Sequence, residues 1–123
     1  MHELSMANSI IETVLSEANR RNAKAVLEVH LVVGRYTMLG PDQLRYCYKL
    51  LTKDTPLEQS RLRIEHEEGR VRCGRCGFEG PIQLREEPQY HLTLPTLECP
   101  ICEGAVEMVA GRSCYIKSVR LRT

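Results

Sequence analysis

Apolar residues recur through the first twenty positions at spacings of three and four. Leu4, Ala7, Ile11, Val14, Leu15 and Ala18 share one face of a helix, and Glu12, Ser16, Glu17, Asn19 and Arg20 fall mainly on the other. The pattern predicts a helix over 3–21. The period then changes. Residues 25–33 (AVLEVHLVV) are rich in β-branched side chains and bounded by Gly34, which predicts a well-buried strand. Strict alternation puts Leu27, Val29, Leu31 and Val33 on one face, with Val26, His30 and Val32 on the other. His30 reads as a sheet-face histidine.

Gly40-Pro41-Asp42 opens a second helix with proline in its first turn, and Leu44, Cys47, Tyr48 and Leu51 form its apolar stripe over 41–52. Cys47 on that stripe reads as a buried, inert thiol. Thr55-Pro56 breaks the chain. Residues 60–67 (SRLRIEHE) alternate as a half-exposed strand, with Leu62, Ile64 and His66 on one side. Residues 113–122 (SCYIKSVRLR) predict a last strand with Cys114 toward the core. Neither of its faces is cleanly polar, which points to a bulge near Lys117-Ser118.

The stretch between these strands follows another pattern. Cys73-Gly74-Arg75-Cys76 and Cys99-Pro100-Ile101-Cys102 are two Cys-x-x-Cys knuckles separated by 22 residues, 77–98. Each places two thiolates on one tight turn, and two facing turns close the tetrahedron that structural zinc adopts. Gly74, Gly77 and Gly104 are expected to supply the unusual backbone angles, and Pro100 to stiffen the second turn. Gly80-Pro81, Pro88 and Pro95 exclude a long element from the linker; short hairpin strands fit near 78–84 and 89–94, and another near 105–109. The expected fold is α+β: two helices on a three-stranded mixed sheet with an inserted zinc-ribbon-like subdomain. Residues 1–69 plus 112–123 form the first domain, and 70–111 the zinc-binding subdomain.

Composition narrows the function. With 123 residues the chain holds one domain, or one domain with a metal-held subdomain, and a net charge of +1 shows no basic surplus for nucleic acid. No apolar run approaches the roughly 20 residues needed to span a bilayer. The Met-His-Glu start shows no secretory signal, so the cysteines read as thiolates in a reducing, cytoplasmic setting. Four thiolates leave zinc no open position for a catalytic water, and no nucleophilic triad, Gly-x-Gly-x-x-Gly or Walker loop appears. These observations argue against an enzyme.

One further chemistry sits at the start of the chain. His2 offers an imidazole together with its own backbone nitrogen and the amine of Met1. Small chelate rings of nitrogen donors suit Ni(II) or Cu(II). Met1-His2-Glu3-Leu4-Ser5-Met6 opening an amphipathic helix resembles the HypA/HybF family of hydrogenase-maturation nickel metallochaperones. Val32-Val33-Gly34, the helix at 44–51, Leu62-Arg63-Ile64, the paired knuckles and the final strand follow in the family's order. The resemblance implies a nickel carrier for the large subunit of [NiFe]-hydrogenase, working with a maturation GTPase of the HypB type. It implies nickel on His2, with Glu3 as an additional ligand or partner contact, and structural zinc on Cys73, Cys76, Cys99 and Cys102. The linker is longer here than in commoner members. It carries His91, which reads either as an exposed loop histidine or as a further nickel ligand. The competing reading is a zinc-ribbon nucleic-acid-binding or adaptor module, drawing on Arg61, Arg63, Arg70, Arg72 and Arg75. Glu65, Glu67, Glu68 and Glu79 in the same region oppose it, as does the lack of stacking aromatics beyond Phe78.

Overall fold

His2 keeps an extended backbone (φ −94, ψ 141), and its carbonyl accepts the Met6 amide at 3.0 Å. It therefore caps a helix that starts at the next residue. The structure is a computed structural model that describes residues 2–90 and 92–123. Its helices are α1 (Glu3–Arg20) and α2 (Pro41–Leu51). Its strands are β1 (Ala25–Gly34), β2 (Arg61–Glu67), β3 (Arg70–Cys73), β4 (Glu79–Pro81), β5 (Gln83–Glu87), β6 (Leu92–Thr96), β7 (Val106–Ala110) and β8 (Cys114–Arg122). The fold is α+β, with a zinc-ribbon-like unit inserted into a helix–sheet unit. The helix–sheet unit comprises the chain up to Val33, Thr37–His66 and Cys114–Thr123; the other comprises Gly34–Tyr36 and Glu67–Ser113.

In the first unit the strands lie in the order β2-β1-β8. β8 runs antiparallel to β1, from Val33 opposite Cys114 to Ala25 opposite Arg122. β2 flanks the other edge in parallel sense: Arg63 reaches Glu28, and Glu65, two residues on, reaches His30 two residues further along β1. A parallel neighbour needs a crossover connection, and α2 provides it. Both helices cover one face. Ala7, Ile10, Ile11, Val14 and Ala18 of α1 and Leu44 and Tyr48 of α2 pack with Val26, Val29, Leu31, Val33 and Leu62. Each fully buried Val, Leu or Ile contributes about 1.5–3 kcal/mol.

Two positions depart from the expected pattern. Leu4 is 54% exposed and Ile10 only 4%. At about 100° per residue, Leu4 and Leu15 lie on one shoulder of the stripe and Ile10 on the other, so α1 is rolled toward Ile10. Leu27 is 40% exposed although alternation assigned it to the core. The pairing passes from Val26–Leu121 to Glu28–Arg120, so Leu27 is the extra residue of a bulge and Val26 takes its inward place. On β8 the register passes from Ser118 to Ile116 and skips Lys117, a second irregularity where the sequence pattern placed one.

The opposite face of the sheet carries a chain of charges. His30 is buried, and its Nδ1 accepts from Arg63 Nη2 at 3.0 Å, which leaves Nε2 to donate to Glu65 Oε1 at 3.1 Å. Arg63 also meets Glu28 at 3.6 Å, and Lys117 meets Glu65 at 3.7 Å. Both ring nitrogens are engaged, so His30 is the sheet-face histidine its position suggested.

The second unit contains an antiparallel sheet in the order β4-β3-β7 and the hairpin β5-β6. β3 continues straight into the first knuckle; it alternates exposed Arg70 and Arg72 with buried Val71 and Cys73, but its four residues are too short a run for periodicity to signal. Val71, Cys73, Cys99 and Val106 are buried together, with Phe78, Ile82 and Cys102 packed against them. A close backbone approach ties off this unit. A Cβ on Gly34 would lie 2.4 Å from the carbonyl carbon of Gly111, which itself has φ +92. Gly34→Ala should therefore lower stability by about 1–3 kcal/mol through overpacking. The control is Gly74→Ala, whose Cβ meets nothing within 4 Å. Urea unfolding should show a lower midpoint at unchanged slope for the first variant and little change for the control.

Candidate metal centres

The two knuckles are built alike. Cys73 O accepts from Gly77 N at 3.0 Å and Cys99 O from Glu103 N at 2.9 Å; Cys73 N donates to Phe78 O and Cys99 N to Gly104 O. Each turn needs a left-handed residue directly after its second cysteine. Gly77 (φ +81) meets this in the first knuckle, but in the second it is Glu103 (φ +62). Gly74 and Gly104, expected to carry unusual angles, do not; the left-handed site falls one position after each Cys-x-x-Cys.

The four sulfurs of Cys73, Cys76, Cys99 and Cys102 lie within 4.8 Å of one another. Cys73 and Cys102 are 3.5 Å apart, as are Cys76 and Cys99, and all four are free thiols rather than disulfides. A tetrahedral metal with bonds of about 2.3 Å has sulfur–sulfur edges of about 3.8 Å, so the donor set fits one ion. The amides of Cys76 and Arg75 hold the Cys73 thiol down to about 6. The Phe78 amide pulls Cys76 down, but the neighbouring thiols of Cys99, Cys73 and Cys102 and burial outweigh it and push it up to about 12. The first proton leaves such a cluster easily and the last is retained, unless a cation offsets the accumulating charge. Cys114 behaves differently: burial alone pushes its thiol up.

The second centre lies in the helix–sheet unit. The His2 side chain is exposed and makes no capping hydrogen bond. It borders a cleft of about 660 Å³ lined by His2, Glu3, Leu4, Ser5, Asp42, Gln43, Tyr46 and Cys47. Glu3 fixes this end of the unit. Its Oε1 accepts from the Gly40 amide at 3.0 Å, joining the start of α1 to the residue that caps α2. The Gly40 amide, followed by the Glu3 amide, lowers the Glu3 pKa. The bond's contribution is thus present above the ordinary carboxylate pKa and is lost as the pH falls through the folded one.

Comparison with known proteins identifies this arrangement. Residues 1–121 match the family model described as "Hydrogenase/urease nickel incorporation, metallochaperone, hypA". The chain belongs to the HypA family. The hydrogenase maturation factor HypA of Methanopyrus kandleri is 40% identical over 98% of this chain and 93% of its own length. That of Methanothermobacter thermautotrophicus is 35% identical over 98% and 97%. The solution structure of the Ni metallochaperone HypA from Helicobacter pylori superposes with a TM-score of 0.70 at 17% identity, covering 99% of this chain and 98% of that one; it shares the fold. This HypA-family chain is a metallochaperone, not an enzyme. No helix among its described residues is long and apolar enough to cross a membrane.

The structure gathers the four predicted cysteines into one cluster and sets His2 and Glu3 side by side at the mouth of the cleft. Met1 and His91 lie outside the described residues. Sequence reasoning missed Asp42, Gln43 and Tyr46 as cleft residues. Their signal is the polar flank of α2, where Asp42 and Tyr46 are four apart beside the Leu44–Tyr48 stripe. Cys47 was placed on the apolar stripe, and it both packs on the core and borders the cleft.

Replacing Cys99 with Ala should break the cluster, because three thiols cannot close a four-coordinate site. Bound metal per chain should drop. Amide exchange should accelerate at Val71 and Val106 in the second unit, while the α1–β1 core keeps its protection. Elemental analysis and hydrogen exchange read the two effects separately.

Proposed function

We propose that this HypA-family protein carries Ni(II) on His2 and holds a structural Zn(II) on Cys73, Cys76, Cys99 and Cys102. It delivers nickel in the cytoplasm to the large subunit of [NiFe]-hydrogenase, working with a maturation GTPase of the HypB type. The observation that carries this reading is the unengaged, exposed imidazole of His2 at the head of α1, beside an open cleft. The backbone nitrogen of a cap residue has no intrahelical partner, so it too is available to a metal. With the amine of Met1 these donors make fused chelate rings, and the Glu3 carboxylate is an additional oxygen donor or a contact for the recipient.

The physical chemistry suits cargo rather than a permanent cofactor. An all-thiolate tetrahedron is coordinatively saturated and keeps its ion. A site at an exposed terminus leaves positions open for an incoming ligand. The positive end of the α1 dipole opposes a dication there by roughly 0.3–1 kcal/mol, which favours release. The recipient attacks an ion that is held firmly enough to be collected and loosely enough to be passed on.

Competitive nickel titration on protein with its native N-terminus tests this. His2→Ala should lose nickel or bind it at least tenfold more weakly, with zinc content unchanged. Stability should move by less than about 0.5 kcal/mol, because the His2 side chain lies outside the core. Acid should act like the mutation. An imidazole must be neutral to bind metal, so protons compete with nickel and affinity should fall as the pH is lowered from about 7.5 to about 6. Wild-type affinity in His2→Ala at the higher pH removes the N-terminal site.

A further inference from the structure

We propose that the face of the β2-β1-β8 sheet turned away from the helices docks an acidic segment of a partner polypeptide. Register fixes which side chains lie there. Val26 opposite Leu121 and Val29 opposite Val119 point into the core, so Ala25 opposite Arg122 and Glu28 opposite Arg120 point outward. On β2, Arg61 and Arg63 alternate with buried Leu62. Lys24 adjoins, its amide bound to the Arg122 carbonyl at 2.7 Å. Four arginines thus flank Glu28, while Glu65 farther along β2 is taken up by His30 and Lys117, in a chain whose net charge is only +1. Glu28 meets Arg63 at 3.6 Å. Among the described residues, no salt bridge or side-chain hydrogen bond engages Arg61, Arg120, Arg122 or the Lys24 ammonium.

Arg120 faces Glu28 and Arg122 faces Ala25 across the β1–β8 ladder, so the ladder gives Arg122 no cross-strand anion. The geometry of this patch suits a peptide. Arg61 and Arg63 on one edge strand and Arg120 and Arg122 on the other are each two residues apart, about 6.6 Å along the strand. The two strands flank β1 at about 4.8 Å on either side. Guanidinium groups bind carboxylates with two parallel hydrogen bonds, and alternate acidic residues of an extended segment match the strand spacing. Around Arg61, Arg63, Arg120 and Arg122 no aromatic ring offers a stacking platform for a base, which favours a polypeptide over a nucleic acid. This surface is on the opposite side of the sheet from the helices that carry His2 and its cleft. A partner seated there leaves the nickel end of the unit uncovered.

The test is fluorescence anisotropy with a labelled oligoglutamate peptide, run on the metal-loaded full chain. Binding should be saturable and weaken between about 50 mM and about 200 mM salt, as phosphate- and carboxylate-directed contacts do. Arg61→Gln/Arg120→Gln/Arg122→Gln should weaken it about tenfold, since each exposed ion pair contributes roughly 1.5- to 5-fold. Arg70→Gln/Arg72→Gln/Arg75→Gln, an equal charge change in the other unit, should leave it within about twofold of wild type on the same scale. Nickel affinity should be the same in all three proteins, which separates this surface from the metal reading. No peptide binding, or an equal loss in both triple variants, overturns the proposal. So does tighter binding of a single-stranded oligonucleotide of the same charge, which assigns the patch to nucleic acid.

Discussion

Burial of one face of a single strand, β1, positions everything of interest in the helix–sheet unit. Val26, Val29, Leu31 and Val33 are almost wholly removed from water, and both helices pack over them. Because α1 is pinned along this face, its first turn and His2 have a defined place. Because α2 is pinned beside it, Gly40 can receive the Glu3 carboxylate and Asp42 and Tyr46 can wall the cleft. The reverse face is dictated by the same pleat: a side chain that is not inward on β1 lies among Arg63, Glu65 and Arg120. The apolar face determines where the ionic one is.

The two proposed metal centres answer opposite demands. The cysteine cluster is assembled from two turns whose amides point at sulfur, and its thiols lie close enough that their charges require a cation. The His2 end asks nothing of the metal in order to fold, since the cap is made by the backbone and the tie to α2 by Glu3. On the proposed assignment, loss of the thiolate-bound ion costs structure and loss of the N-terminal one costs none. A carrier that must be emptied repeatedly needs that asymmetry.

Much of this was legible in the chain because its signals were local. The helices, the three long strands and the paired knuckles each follow from spacing within a few residues, and Cys-x-x-Cys spacing directly encodes a turn that presents two sulfurs. The misses arise where geometry is set by a neighbour. Leu27 obeys strand alternation until pairing with β8 forces a bulge, and nothing in residues 25–33 announces which residue is extra. Ile10 displaces Leu4 because the roll of α1 depends on the sheet beneath it. Glu103 adopts the angle that Gly77 holds in the first knuckle, and a glutamate gives no hint of it. The polar flank of α2 is visible in the chain, but not that it walls a cleft, because a cleft belongs to two elements at once.

The order of strands in the sheet has a bearing on how the molecule is made. β1, α2 and β2 precede the cysteine-bearing insertion in the chain, yet the antiparallel partner of β1, β8, follows only after that whole insertion has been translated. Until then one edge of the central strand and the flank against which Ile116, Val119 and Leu121 close are open to solvent. Such an unpaired edge invites pairing with another nascent chain. The knuckles appear in this interval and can collect their ion before the last strand docks. Docking of β8 is what covers that edge.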